Sequence, residues 1–159
     1  TGRDKLRNGK GFMQMKLLSL WNMVNNSGDK TTNSSSLIRW LAEICWSPAM
    51  ALSPAITWQA IDTKTVQAVV TAGTCKETAV FYFTAHGDVA KVIAYRHMQQ
   101  KKESSLETWQ VEMLAYKSFE AVRIPARCRV TWKLPDADFT WLELEVTDIV
   151  YNDPQLYHS

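Results

Sequence analysis

Between Val122 and Leu134 the chain alternates with a period of two. Val122, Ile124, Ala126, Cys128, Val130, Trp132 and Leu134 point one way; Arg123, Arg127, Arg129, Thr131 and Lys133 point the other. Successive side chains take opposite sides only in an extended strand, so this segment is a strand with one buried and one wet face. Pro135-Asp136-Ala137-Asp138 turns the chain into Phe139–Tyr151, where Leu142, Leu144 and Val146 alternate with Glu143, Glu145 and Thr147. Antiparallel pairing of the two sets the Arg/Lys face against the Glu face, each cross-strand pair adding roughly 0.2–1 kcal/mol. A sheet with one solvated face excludes the doubly covered parallel sheet of α/β folds.

The same reading extends over most of the chain. Phe12–Val24 reads as a first strand, and Asn25–Ser36 as a polar loop. Strands are expected at Ile56–Ile61, Thr65–Thr71, Thr78–Thr84, Val89–Met98 and Thr108–Ser118, with Gly87 in a hairpin loop and Gln99–Ser105 as a polar connection. Leu37–Trp46 is the main helix: Leu37, Trp40, Leu41, Ile44 and Cys45 follow the helical period. Asn33–Ser36 offer N-caps and Pro48 stops it, with Ser47-Pro48 starting a short second turn to about Leu52. Ile38, Ala42 and Trp46 widen its apolar surface, which predicts burial on most sides. The expected architecture is α+β: a strongly curved antiparallel meander, a half-barrel of about seven or eight strands, wrapped around one main apolar helix.

Length and composition bound the function. The chain has 159 residues, 46% of them hydrophobic, and a net charge of +2. That suits one domain over residues 1–159 and excludes a disordered tail or a nucleic-acid carpet. The segments 1–11 and 152–159 are expected to be frayed ends. Three cysteines at wide spacing, Cys45, Cys75 and Cys128, form no zinc or disulfide framework and leave the compartment open. No apolar run reaches the roughly 18 residues of a membrane span, and no signal peptide is visible. Gly9-Lys10-Gly11 lacks the third glycine and the following helix of a dinucleotide loop. There is no P-loop, nucleophile elbow or HExxH segment, and His86, His97 and His158 are scattered. No catalytic residue, metal or cofactor is therefore expected.

Several segments together resemble a bacterial family of unknown function. They are Gly9-Lys10-Gly11-Phe12-Met13, Arg39-Trp40-Leu41-Ala42-Glu43 running into Trp46-Ser47-Pro48, and Trp58 with Asp62. Gly87, Arg96, Trp109, Pro125, Trp132 and Tyr151-Asn152 follow. The most specific part is R-[YW]-L-A-E-x-x-W-x-P. This chain has Trp40 where the pattern has Tyr, Ser47 where it has an aromatic, and Ala121 near its Gly. The resemblance implies a longer N-terminus, so that this chain, which starts at Thr1, is the C-terminal part of a larger protein. At fold level the strand–helix–meander order is similar to the lipoprotein-carrier (LolA-like) half-barrel. The family resemblance carries over no activity.

The remaining candidates are binding residues. Arg39 and Glu43, four apart on an apolar helix, either pair with each other or with Arg96 or Asp62, or form the polar end of an apolar pocket. Arg96 is the sheet-side candidate because Ala90, Val92 and Ala94 on its strand are small or apolar. Trp46, Trp58 and Trp109, with Met13, Met15, Met23 and Met113, are side chains that either fill a core or line a hydrophobic site. The expected function is non-catalytic binding or carriage of a hydrophobic or lipid-like ligand between helix and sheet. Arg39, Glu43, Trp46, Trp58, Arg96 and Trp109 are its expected ligand residues. A structural or protein-interaction module is the first alternative, its partner a preceding N-terminal segment or a second copy. An enzyme using Glu43 as acid/base is the second.

Overall fold

The computed structural model describes residues 5–7, 10–12, 30–100 and 103–151. A small hairpin pairs β1 (Lys5–Arg7) with β2 (Lys10–Phe12). The helix α1 spans Lys30–Glu43, a 3-10 turn follows at Pro48–Leu52, and the rest is sheet. Its strands are β3 (Ile56–Ala60), β4 (Thr65–Ala72), β5 (Cys75–Phe83), β6 (Val89–Gln100), β7 (Glu103–Phe119), β8 (Val122–Lys133) and β9 (Asp138–Glu145). Each pairs antiparallel with the next in chain order, giving a seven-stranded meander with β3 and β9 as its edges. Registers shift at Tyr82/Phe83, at Met113–Tyr116 and at Val130/Thr131. Such bulges bend the strands and increase their twist, which curves the sheet toward the helix side.

The helix starts at Lys30, a full seven positions before the first apolar residue of the expected helix, so Asn33–Ser36 lie inside it rather than capping it. Polar residues of weak propensity are carried into the helix because turns anchored by packing propagate at little cost. Leu37, Ile38 and Leu41 are fully buried, and Trp40, Ala42, Ile44, Cys45 and Trp46 nearly so. Bonds from Ile44, Cys45, Trp46 and Ser47 to residues three back tighten the end of the helix. Pro48 then opens the 3-10 turn behind Ser47, whose side chain makes no capping bond.

The wet face carries its charges in pairs, as the alternation of β8 and β9 required. Arg129 Nε lies 2.7 Å from Glu143 Oε1, Lys133 pairs with Asp138, and Arg127 stands opposite Glu145. Arg123 reaches across to Asp88 at 2.8 Å. That hydrogen-bonded guanidinium holds the exposed Asp88 carboxyl below its ordinary range.

Boundaries differ elsewhere. The β6–β7 ladder continues to Gln100↔Glu103, so most of the expected Gln99–Ser105 loop is strand. Backbone pairing needs no apolar side chains. β9 ends at Glu145, since Val146 N to Ala126 O is the last bond joining this strand to β8. The expected strand Phe12–Val24 lies, beyond Phe12, outside the described residues, with Met13, Met15, Trp21 and Met23; so do residues 152–159.

The β7–β8 turn departs from the usual chemistry. Phe119 pairs with Val122, so Glu120 and Ala121 form a two-residue loop, and both have positive φ, 47° and 69°. This left-handed pair is the pattern of a type I′ turn, normally built from Asn and Gly. A non-glycine residue pays about 1–2 kcal/mol there, and glycine returns about 0.5–1 kcal/mol through unfolded-chain entropy. Ala121→Gly is therefore expected to stabilise the protein by about 0.5–1 kcal/mol, a rise of about 1–4 °C in melting temperature. An unchanged or lower melting temperature would contradict the left-handed turn.

Candidate functional site

Registers across all seven strands align one transverse row on the inner face: Trp58, Ala68, Ala79, Ala94, Trp109, Trp132 and Phe139. Three alanines occupy β4, β5 and β6, the strands on which α1 packs. Small side chains let a helix approach a sheet closely, and large ones are accommodated to its sides. Trp109 and Trp132 flank the alanines on one side and are 4% and 6% exposed. Trp58 stands at the opposite edge, 36% exposed, edge-on to Phe81 at 5.4 Å, its indole N–H donating to Ala51 O at 2.9 Å. Phe139 ends the row half-exposed. The next row, Val66, Phe81, Val92, Val111, Val130 and Leu142, is wholly apolar.

Arg96 sits two residues beyond Ala94 on the same face of β6. There β6 parts from β5: their ladder ends at Ala79↔Ala94, and Arg96 pairs only toward β7. The guanidinium carbon lies 5.1 Å from the Trp109 ring and 5.8 Å from the Trp132 ring. A cation on indole faces is attracted by the ring quadrupole. Glu107 is its cross-strand neighbour, yet no ion pair joins Arg96 to any described residue. Burial pulls the guanidinium below its ordinary pKa, and the positive charge of Arg39 adds to the shift. Two buried donors of this stack, Arg96 Nε and Trp109 Nε1, have no hydrogen-bond partner among the described residues.

The other candidates fall into place around this. Arg39 Nε and Glu43 Oε1 are 2.9 Å apart along one face of α1, so the two pair with each other. Arg39 is about half-exposed and Glu43 mostly buried. Trp46 is elsewhere, in the turn closing α1. Its N–H donates to Pro125 O at 2.9 Å, and its own carbonyl accepts from Tyr151 at 2.8 Å. The structure thus joins Arg96 to Trp109 with Arg39 nearby, and places Trp58 and Trp46 in other contacts. Trp132 was not among the residues expected at a site. Its position directly across from Trp109 follows from the β7–β8 hairpin: the two register shifts near Ala115 cancel, so Trp109 meets Trp132 in the register set by Phe119↔Val122.

Cys45 and Cys128 are buried, and burial pushes each thiol up to about 12, away from the thiolate. His86 is exposed in the β5–β6 turn, and His97 Nδ1 lies 3.3 Å from Ser104 Oγ. Among the described residues no group of three or more His, Cys, Asp or Glu is placed to hold a metal ion. No helix among them is long and apolar enough to cross a membrane. What the site offers is hydrogen-bond donors and one positive charge set in aromatic surface.

No curated protein and no solved structure matches the chain. A family of unknown function does match, over residues 1–144, nearly the whole chain and all of the sheet but the last residue of β9. Among the described residues, an open seven-stranded meander with one helix packed on β4, β5 and β6 is thus the fold of a member of that family, and the chain belongs to the family of unknown function DUF6544.

Proposed function

We propose that this protein binds a hydrophobic or lipid-like ligand between helix and sheet, without catalysis. The observation that carries this is Arg96: one cation without an acidic partner among the described residues, set in aromatic and aliphatic surface. Binding sites for apolar molecules combine such surface with a few convergent polar groups that orient the ligand. The curved sheet around one helix, similar in outline to a lipoprotein-carrier half-barrel, supports the reading at fold level only. Because α1 packs on β4, β5 and β6, the ligand's place between helix and sheet lies toward the β7–β8 side, along Arg96, Trp109 and Trp132. Glu43, which an enzyme would use as acid or base, is engaged by Arg39.

Native mass spectrometry of freshly purified protein, followed by solvent extraction, tests this. The expected result is an apolar adduct that solvent removes, and saturable uptake of a long-chain fluorescent alcohol by the stripped protein. A clean mass together with no saturable uptake would sink the proposal. A protein-interaction module is the second reading, favoured by Phe139 and Trp141, both about half-exposed on the edge strand β9. The same experiment separates the two, since an interaction module takes up no ligand.

A further inference from the structure

Hydrogen-bond accounting at Arg96 goes further than a generic anchor. Nε of a guanidinium and Nε1 of an indole are both donors with no acceptor capacity, so neither can satisfy the other. Both are buried and have no partner among the described residues, in one stacked contact, and Trp109 is only 4% exposed. Native proteins leave few such groups, because a buried donor without an acceptor costs about 1–3 kcal/mol. Among the described residues the site therefore lacks an acceptor. It also lacks a counter-charge, since no ion pair reaches Arg96 among the described residues, while Arg39 faces Glu43 at 2.9 Å.

We propose that Arg96 and Trp109 form the head-group site for an amphiphile bearing a carboxylate, whose oxygens accept from Arg96 Nε and Trp109 Nε1. The proposal rests on the hydrophobic-ligand reading above. A neutral carbonyl would satisfy the donors but leave the desolvated charge unmatched. A phosphate dianion carries more charge than one guanidinium balances. A carboxylate is planar, singly charged and has two oxygens with about four acceptor sites, which matches one guanidinium edge plus one indole N–H. The aromatic faces of Trp109 and Trp132 border the guanidinium, so the apolar chain has a surface to follow.

The test uses the purified chain and two probes, a fluorescent polyene fatty acid and the alcohol of the same chain. The wild-type protein is expected to bind the acid about tenfold or more tightly than the alcohol, the range of a charge-assisted hydrogen bond. Arg96→Gln should abolish the preference, so that acid and alcohol bind with about equal affinity. Trp109→Phe, which keeps the ring and removes the N–H, should weaken the acid by a few-fold only. Arg96→Lys keeps the charge without the Nε edge and should fall between; it serves if the Gln variant does not fold, with melting temperatures as the control. Equal binding of acid and alcohol by the wild type would overturn the head-group site and leave the hydrophobic-ligand reading standing. Uptake of neither probe would overturn both. An acid affinity unmoved by both Arg96→Lys and Trp109→Phe would also overturn the site.

Discussion

Trp46→Ala is expected to destabilise the protein by about 3–5 kcal/mol, a large share of the roughly 5–15 kcal/mol that holds a typical domain together. The side chain is 4% exposed and sits where the helix turns toward the 3-10 segment. Its indole reaches β8, donating to Pro125 O, while its backbone carbonyl receives the Tyr151 hydroxyl. One residue thus ties the end of α1, the buried start of β8 and the end of the described chain. Truncation opens a cavity and leaves the Pro125 carbonyl without its donor. Trp46→Phe separates the two effects: it keeps most of the packing and loses the N–H, so about 1–3 kcal/mol is expected. Urea unfolding checks both, as a lower midpoint at unchanged slope. A Trp46→Ala midpoint within error of the wild type would remove the pin from this account.

Ala94→Leu is expected to cost about 1–3 kcal/mol, the usual penalty of forcing extra carbons into a packed core. Ala94 is 5% exposed, between Ala79 and Trp109 in the transverse row, on a strand that α1 packs against. A leucine there must lift the helix or push Trp109 off its rotamer, and Trp109 carries the Arg96 stack. The variant should therefore show both a lower unfolding midpoint and altered tryptophan fluorescence. A stable variant with unchanged fluorescence would mean that the helix does not depend on an alanine floor.

Much of the fold is legible along the chain because it depends on local period. The alternation in Val122–Leu134 and Phe139–Tyr151 assigns both strands and their mutual charge pairing, realised in Arg129–Glu143. The run Leu37–Trp46 assigns the helix, and four-residue spacing assigns the Arg39–Glu43 pair. What fails is local too. Asn33–Ser36 carry a capping signal strong enough to suggest a helix start, but the packed turns downstream draw them into α1. The β6–β7 strands outrun their apolar residues because ladder bonds join backbones, whatever the side chains.

The candidate site shows the same division more sharply. Sequence period places Arg96, Trp109 and Trp132 on inner faces of three different strands. Whether they meet depends on register, and a slip of one residue would send each to the other face. The β6–β7 ladder runs without a shift and the two shifts of the β7–β8 ladder cancel, so the pairing that brings the three together is set by which strands are neighbours and by where each hairpin turns. Trp58 and Trp46 show the converse: they share residue type with Trp109, but pairing puts Trp58 at the sheet's far edge and Trp46 on Pro125.

The sequence by itself determined the strand-rich class, the main helix, the order of the meander and the charge pairing of the wet face. Each follows from neighbours a few residues apart. Only the tertiary structure decided that three alanines from β4, β5 and β6 would line up in one row, and that Arg96 would lie on two tryptophans with its Nε–H and the Trp109 indole N–H unmet among the described residues. Those outcomes depend on the register of seven strands at once, and on burial, which removes the water that would otherwise have satisfied them.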